Sequence, residues 1–159
     1  MIAPILIFAI GNESRGDDAL APLLLRRLQT GYIAQVELIE DYQLQVEHVT
    51  DLHERSAVLF VDADMSCTEP FHFSEIAAEK DNSYTSHAMT PFALLHTYRQ
   101  VYGTDAPPAF LLRIRGYDFE LGNPLSGRAT ANLEAATEWM RELCAGGDWQ
   151  SWRQRLVNA

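Results

Sequence analysis

At 159 residues and 47% hydrophobic content, the chain is sized for one domain that buries most of its apolar surface without staples. It carries 12 basic against 22 acidic residues, a net charge of −10 with no block of Lys or Arg, which excludes the basic face that nucleic-acid binding needs. Cys67 and Cys144 stand far apart without CxxC spacing, which excludes a zinc pattern or a disulfide framework and fits a reducing compartment.

Ile5 to Ile10 is an unbroken apolar run of the length of one buried strand, as in a parallel sheet covered on both faces. It is too short to span a membrane and lacks a basic n-region, so a signal peptide and membrane insertion are not expected and the chain reads as cytoplasmic. The turn Gly11-Asn12-Glu13-Ser14-Arg15-Gly16 and the acids Asp17-Asp18 follow. Pro22 must lie in the first turn of the next helix, which puts the start near Asp17 or Asp18, where a carboxylate caps free N–H groups. Both aspartates read either as a solvated cap or, since one carboxylate suffices for capping, as a cap and an oxygen donor free for another task.

Leu20, Leu23, Leu24 and Leu28 recur at helical spacing, and Gly31 ends that helix. Val36–Ile39 reads as a second strand closing at Glu40-Asp41, and Tyr42–Val49 leads into a short helix ending near His53. Ala57–Asp64 is the second strongly buried strand, with an acid again directly after its apolar run Ala57–Val61. Burying an unpaired charge is expensive, so Asp62 reads as functional or hydrogen-bonded at a strand end, and Asp64 as solvated. Phe71–Ile76 alternates as an edge strand, and a polar loop runs from Glu79 to His87. Thr90-Pro91 starts a helix that Gly103 stops, with Leu94, Leu95, Tyr98, Val101 and Tyr102 as its buried face. Ala109–Ile114 is the last strand, and a final helix from near Ser126 or Thr130 buries Leu133, Ala136, Met140 and Leu143. Gly146-Gly147 then breaks the chain before Trp149 and Trp152.

This order predicts a single three-layer α/β domain over residues 1–145, with helices on both faces of a mostly parallel five-stranded sheet. One edge strand is antiparallel, and residues 146–159 form a tail packed on the body or flexible. Ligands of such sheets gather beyond the carboxyl ends of the strands. Right-handed crossovers bring the ends of the first and third strands together there, and with them Asp18 and Asp62. His87 enters from the loop before the third helix, whereas His48, His53, His72 and His96 read as structural or solvated. Two carboxylates and an imidazole suit a borderline divalent ion such as Ni²⁺ or Zn²⁺. Neither Ser14 nor Ser86 has an identifiable base, and neither cysteine has a paired histidine, so no Ser-His or Cys-His nucleophile is evident. Asp41, Gln43 and Gln45, near the same rim, are candidates for peptide contacts.

The set Gly11-Asn12, Gly16-Asp17-Asp18, Val61-Asp62-Ala63 and Ser86-His87 resembles the hydrogenase maturation endopeptidases over nearly the whole chain except its tail. The resemblance implies removal of a short C-terminal peptide from the large-subunit precursor of a nickel–iron hydrogenase after nickel insertion. It implies Asp18, Asp62 and His87 as metal ligands and catalytic residues, the ion being nickel, that of the substrate, with zinc as another divalent candidate. Many members have Glu in place of Asp18, and an Asp-Gly-Gly turn where this chain has Glu40-Asp41-Tyr42-Gln43-Leu44-Gln45. That run resembles the branch serving cytoplasmic, NAD-coupled hydrogenases. The ion either activates water or the scissile carbonyl, or serves as a recognition device that tests nickel loading; the sequence leaves both open. The precursor is the expected partner of a monomeric enzyme.

Other classes fit less well. A phospho-receiver domain has paired acids directly after its first strand and a Lys ending the last, whereas here the acids come seven residues after Ile10 and Arg115 stands near the last strand end. Gly11 and Gly16 do not make the GxGxxG of a dinucleotide-binding module. A nickel-binding accessory protein without peptidase activity would use the same three residues.

Overall fold

The computed structural model describes residues 2–30, 33, 35–80 and 89–156. Strands β1 (Ile5–Ile10), β2 (Val36–Asp41), β3 (Ala57–Asp64), β4 (Phe71–Ile76) and β5 (Ala109–Arg115) form one sheet in the order β2-β1-β3-β5-β4. β1, β2, β3 and β5 are parallel, and β4 runs antiparallel along β5 at the edge. Only six residues link β3 to β4, whereas a parallel crossover needs about a dozen or more. The chain therefore turns back.

The central strands are apolar on both faces because both faces are covered. Ile5, Ile7 and Ala9 of β1 meet helices α1 (Leu20–Gln29) and α4 (Gly127–Ala145). Leu6, Phe8 and Ile10 meet α2 (Val49–Leu52) and α3 (Pro91–Tyr102). Alternation along one strand thus feeds two cores. Thr90 caps α3 through the N–H of Ala93, and Gly103 ends it at φ 75°, a left-handed conformation that favours glycine. Val101, placed by its spacing on the buried face of α3, is instead exposed. Beyond α4 the chain makes a 3₁₀ turn over Trp149–Gln154, with Trp152 buried edge-on against Phe110 and Arg153 paired to Glu75 of β4.

The entry into α1 departs from the sequence reading. Residues Gly16–Ala19 form a 3₁₀ turn ahead of the helix, and neither Asp17 nor Asp18 caps it. The Asp17 carboxylate is fully buried and reaches across the fold. Its Oδ1 accepts from the Ser126 N–H at 2.7 Å, and its Oδ2 accepts from the Tyr117 N–H at 2.7 Å, the Asp118 N–H at 3.1 Å and the Ser126 hydroxyl at 2.8 Å. Burial alone would raise its pKa, but these bonds outweigh burial and hold the carboxyl below its ordinary value. Ser126 Oγ meanwhile accepts from the Ala129 N–H and so caps α4. One carboxylate thereby joins the β1–α1 turn to the β5–α4 loop and to the first turn of α4. Gly16, at φ 54°, permits the approach, since a Cβ there would strike the Asp118 carbonyl.

Asp17→Asn would set an amide NH₂ against backbone donors and leave at least one of them unpaired. We expect it to cost roughly 3 kcal/mol in urea or guanidinium unfolding, because unsatisfied buried donors carry their full desolvation penalty. A loss below about 1 kcal/mol, the worth of an ordinary hydrogen bond, would show that the junction does not depend on this carboxylate.

Candidate active site

The carboxyl ends of β1 and β3 lie side by side, with Ile10 in register with Asp62. Gly11 continues from β1 and donates its N–H to the Asp41 carbonyl at the end of β2, at 3.1 Å. The chain then turns, and the Asn12 N–H donates to Asp18 Oδ2 at 2.8 Å. Gly11 is needed here because a Cβ would collide with the Asp18 carbonyl. The turn so closed carries Asp18 back over the strand ends toward Asp62.

Both carboxyls are partly buried. Asp62 Oδ1 accepts from the Ala63 N–H at 2.9 Å. Burial first, then the charge of Asp18 and, more weakly, that of Asp64, push the Asp62 pKa up to about 8 against the pull of the Ala63 N–H. Asp18 is raised as well, by burial, against the Asn12 N–H and the charge of Arg15. Two acids whose charges oppose one another in a half-buried setting form a site that a divalent cation would relieve. Their oxygen chemistry fits such an ion, but two carboxylates alone do not complete a three-ligand set. Among the described residues no group of three or more His, Cys, Asp and Glu side chains is close enough to hold one. His87, the third residue of the expected set, lies outside the described residues. Met89, two positions on, forms an antiparallel bridge with Leu44 at this rim.

The residues proposed for peptide contacts are divided by the structure. Asp41 Oδ1 accepts from the Tyr42 N–H at 2.6 Å, and its Oδ2 lies 3.2 Å from His48 Nε2. His48 Nδ1 accepts from the Gln45 N–H at 2.8 Å, so the imidazole ties Asp41 to the Gln45 backbone. The side chains of Gln43 and Gln45 are exposed, on either side of buried Leu44. Between this segment and the β1–α1 turn lies an open cleft of about 340 Å³, lined by Asn12, Ser14, Arg26, Asp41 and Tyr42 among others. Arg26 bridges Glu13 and Glu40 across one wall.

Asp64, read from the sequence as solvated, is engaged on both oxygens. Oδ1 accepts from the Ser66 N–H at 2.6 Å, the Ser66 hydroxyl at 2.7 Å and the Cys67 N–H at 3.0 Å, while Oδ2 faces Arg113 Nη1 at 3.4 Å. These partners overcome burial and keep Asp64 below its ordinary pKa. The Cys67 thiol is buried against the carbonyls of Asp64 and Arg113, and burial raises its pKa, so it is no ready nucleophile. Sequence reasoning missed the bridging role of His48 and the ties of Asp17. For Asp64 and Arg113 a signal existed, since period-two alternation puts Asp62 and Asp64 on one face of β3 and Arg113 and Arg115 on one face of β5.

The raised Asp62 carboxyl has a consequence for stability. A folded pKa above the unfolded value means that the native state holds the proton more tightly, so its stability falls as pH rises from about 4 toward about 8. With a chelator present, Asp62→Asn should raise the melting temperature at pH 8, and the gain should shrink toward pH 4. A variant that melts lower at pH 8 would mean that Asp62 is a stabilising residue.

No protein-family profile and no curated protein sequence matches the chain. Solved structures do. One is the [NiFe] hydrogenase maturation protease HycI from Thermococcus kodakarensis, 22% identical, with 90% of this chain and 93% of that one covered at a TM-score of 0.69. A second is the hydrogenase maturating endopeptidase HybD from E. coli, at 20% identity, the same coverage of both chains and a TM-score of 0.69. A third is a hydrogenase 2 maturation peptidase from a Thaumarchaeota archaeon, at 19% identity, 89% and 97% coverage and a TM-score of 0.62. The fold of this chain is that of the [NiFe] hydrogenase maturation proteases.

Proposed function

We propose that this chain is an endopeptidase that removes the C-terminal extension of a nickel–iron hydrogenase large-subunit precursor once nickel has been inserted. One observation carries the reading. Two partly buried acids, from the β1–α1 turn and the end of β3, lie at the same sheet edge, with Asp18 close enough for its charge to raise the Asp62 pKa. In solvent-free packing such a pair is a liability; against a cation brought by a substrate it is a receptor. The fold shared with structures described as maturation proteases and endopeptidases supports the same reading.

In this reading nickel is substrate cargo. Asp18 and Asp62 supply oxygen ligands to it, and His87 supplies the imidazole. Holding the ion at the strand ends would lay the chain beyond it along the cleft between Asn12 and Tyr42, and the exposed Gln43 and Gln45, next along the chain from that wall, would offer amide contacts. Water adds to the scissile carbonyl carbon, the C–N bond breaks and the amine leaves with a proton. Fixing the bond beside a captured ion supplies orientation, which is a large share of what hydrolysis needs. An unloaded precursor would lack the group that the acids recognise, so cleavage would follow nickel insertion. The run Asp41-Tyr42-Gln43-Leu44-Gln45 supports a cytoplasmic, NAD-coupled hydrogenase as the source of the precursor. We assign the work to residues 1–145 of a cytoplasmic monomer, with 146–159 as a tail. Among the described residues no helix is long and apolar enough to cross a membrane.

Mixing the protein with nickel-loaded and nickel-free precursor should shorten only the loaded chain, as read on a gel and by mass spectrometry. Asp18→Ala, Asp62→Ala and His87→Ala should each lower the cleavage rate by about 100-fold or more, since losing even a group that only supports a metal ligand costs about 10–100-fold. Nickel uptake without shortening of the loaded precursor would identify an accessory protein instead.

A further inference from the structure

At the carboxyl end of the sheet, four residues stand in register across four strands: Ile10, Asp62, Arg113 and His72. Cross-strand neighbours share a face, with Cβ atoms about 5 Å apart, so an arginine side chain opposite an aspartate is well within reach of an ion pair. Asp62 and Arg113 are such neighbours. Yet Arg113 turns the other way, with Nη1 3.4 Å from Asp64 Oδ2 and Nη2 3.2 Å from His72 Nδ1. Its Nε is buried and finds no hydrogen-bond partner among the described residues. The Arg115 Nε is unpaired in the same way, so what singles out Arg113 is that it spends its guanidinium on Asp64 and His72 although Asp62 is its neighbour in register.

The other groups on this face agree. Arg115, in register with Asp64, donates Nη1 to the Cys67 carbonyl at 2.9 Å and lies over the Tyr117 ring, so it is committed away from Asp62. Burial and the neighbouring guanidinium lower the His72 pKa, leaving a neutral ring whose Nδ1 can accept from Arg113. Asp64 Oδ1 is saturated by the turn, which leaves Oδ2 for the arginine.

We propose that Asp64 is a positioning residue: it anchors Arg113 away from Asp62, so that the Asp18–Asp62 pair stays open to a divalent cation instead of closing on a cation of its own chain. The identity of the cation rests on the endopeptidase reading above; the anchoring does not. Without the anchor Arg113 would rotate onto Asp62, neutralise it and occupy the approach to the pair. Because Arg113 is tethered covalently, it would act as an ever-present competitor for any ion.

Asp64→Asn separates the two oxygens. The amide oxygen can keep the three bonds of Oδ1 to the Ser66–Cys67 turn, while the amide nitrogen repels Arg113. A crystal structure of D64N should show the Arg113 guanidinium within about 4 Å of the Asp62 carboxylate, the span of an ion pair. Calorimetric titration with Ni²⁺ alone should give an affinity lower by about tenfold, the scale of one competing charge brought into contact. Adding Arg113→Gln to D64N should restore the wild-type affinity and, with nickel-loaded precursor, the wild-type cleavage rate. Unchanged affinity in D64N would overturn the proposal, as would a double variant as weak as the single one, which would place the loss in the turn. An arginine that stays on His72 in D64N would overturn it too. If wild-type protein binds Ni²⁺ but leaves the loaded precursor uncut, the endopeptidase reading fails while the anchoring stands.

Discussion

A buried carboxylate surrounded by three backbone N–H groups and a hydroxyl ties together the loops at the carboxyl edge of this sheet. Asp17 belongs to the turn after β1, yet all its partners lie some hundred residues on, at Tyr117, Asp118 and Ser126. Backbone bonds reinforce the same junction, from the Gly16 N–H to the Asn123 carbonyl at 3.1 Å, from the Asp17 N–H to the Asp118 carbonyl at 2.7 Å and from the Gly122 N–H to the Ser14 carbonyl at 2.7 Å. With these bonds, the turn, the β5–α4 loop and the capped end of α4 become one rigid junction. Asp18 is the next residue along the chain. Its direction is therefore inherited from the bonds of its neighbour, which is how a rim side chain is fixed in place.

The cost of the arrangement falls on the next carboxylate. Hydrogen bonds overcome burial at Asp17, whereas at Asp62 burial and two acidic neighbours act in the same direction. The same residue type, a few ångströms from the same sheet edge, thus meets opposite treatment. Asp17 is satisfied by the protein and serves the fold. Asp62 keeps, among the described residues, a single hydrogen bond, from the Ala63 N–H, although Arg113 stands beside it in register.

The architecture was legible because its signals are long and periodic. The runs Ile5–Ile10, Ala57–Val61 and Ala109–Ile114 announced strands buried on both faces, and Thr90-Pro91 with Gly103 marked both ends of α3. Asp18 and Asp62 could be placed at one rim because parallel neighbours carry their ends to the same edge. What escaped the sequence were contacts between distant residues. Nothing local distinguishes Asp17 from a helix cap; its role exists only once residues 117–126 fold over it. Asp64 looked like a loop acid because its three turn donors and Arg113 become neighbours only when the chain reverses after β3. Val101 fitted a helical stripe by spacing alone, but a stripe predicts a direction and not whether a neighbouring element reaches far enough to cover it.

Identities near 20% alongside TM-scores near 0.7 follow from how unequally the sequence constrains its positions. Core sites such as Leu6, Ile7, Leu59 and Leu112 ask for apolar volume, and many combinations of side chains supply it. The positions that admit few alternatives are those where backbone meets backbone or where charge must be placed: Gly11 under the Asp18 carbonyl, Gly16 against Asp118, and the acids themselves. A fold can therefore persist while most residues change, which is why the fold by itself does not decide chemistry. In this chain the carboxylates at the sheet edge differ in how far the protein satisfies each internally. That division is set by individual hydrogen bonds at the sheet edge, made by residues that contribute little to the core.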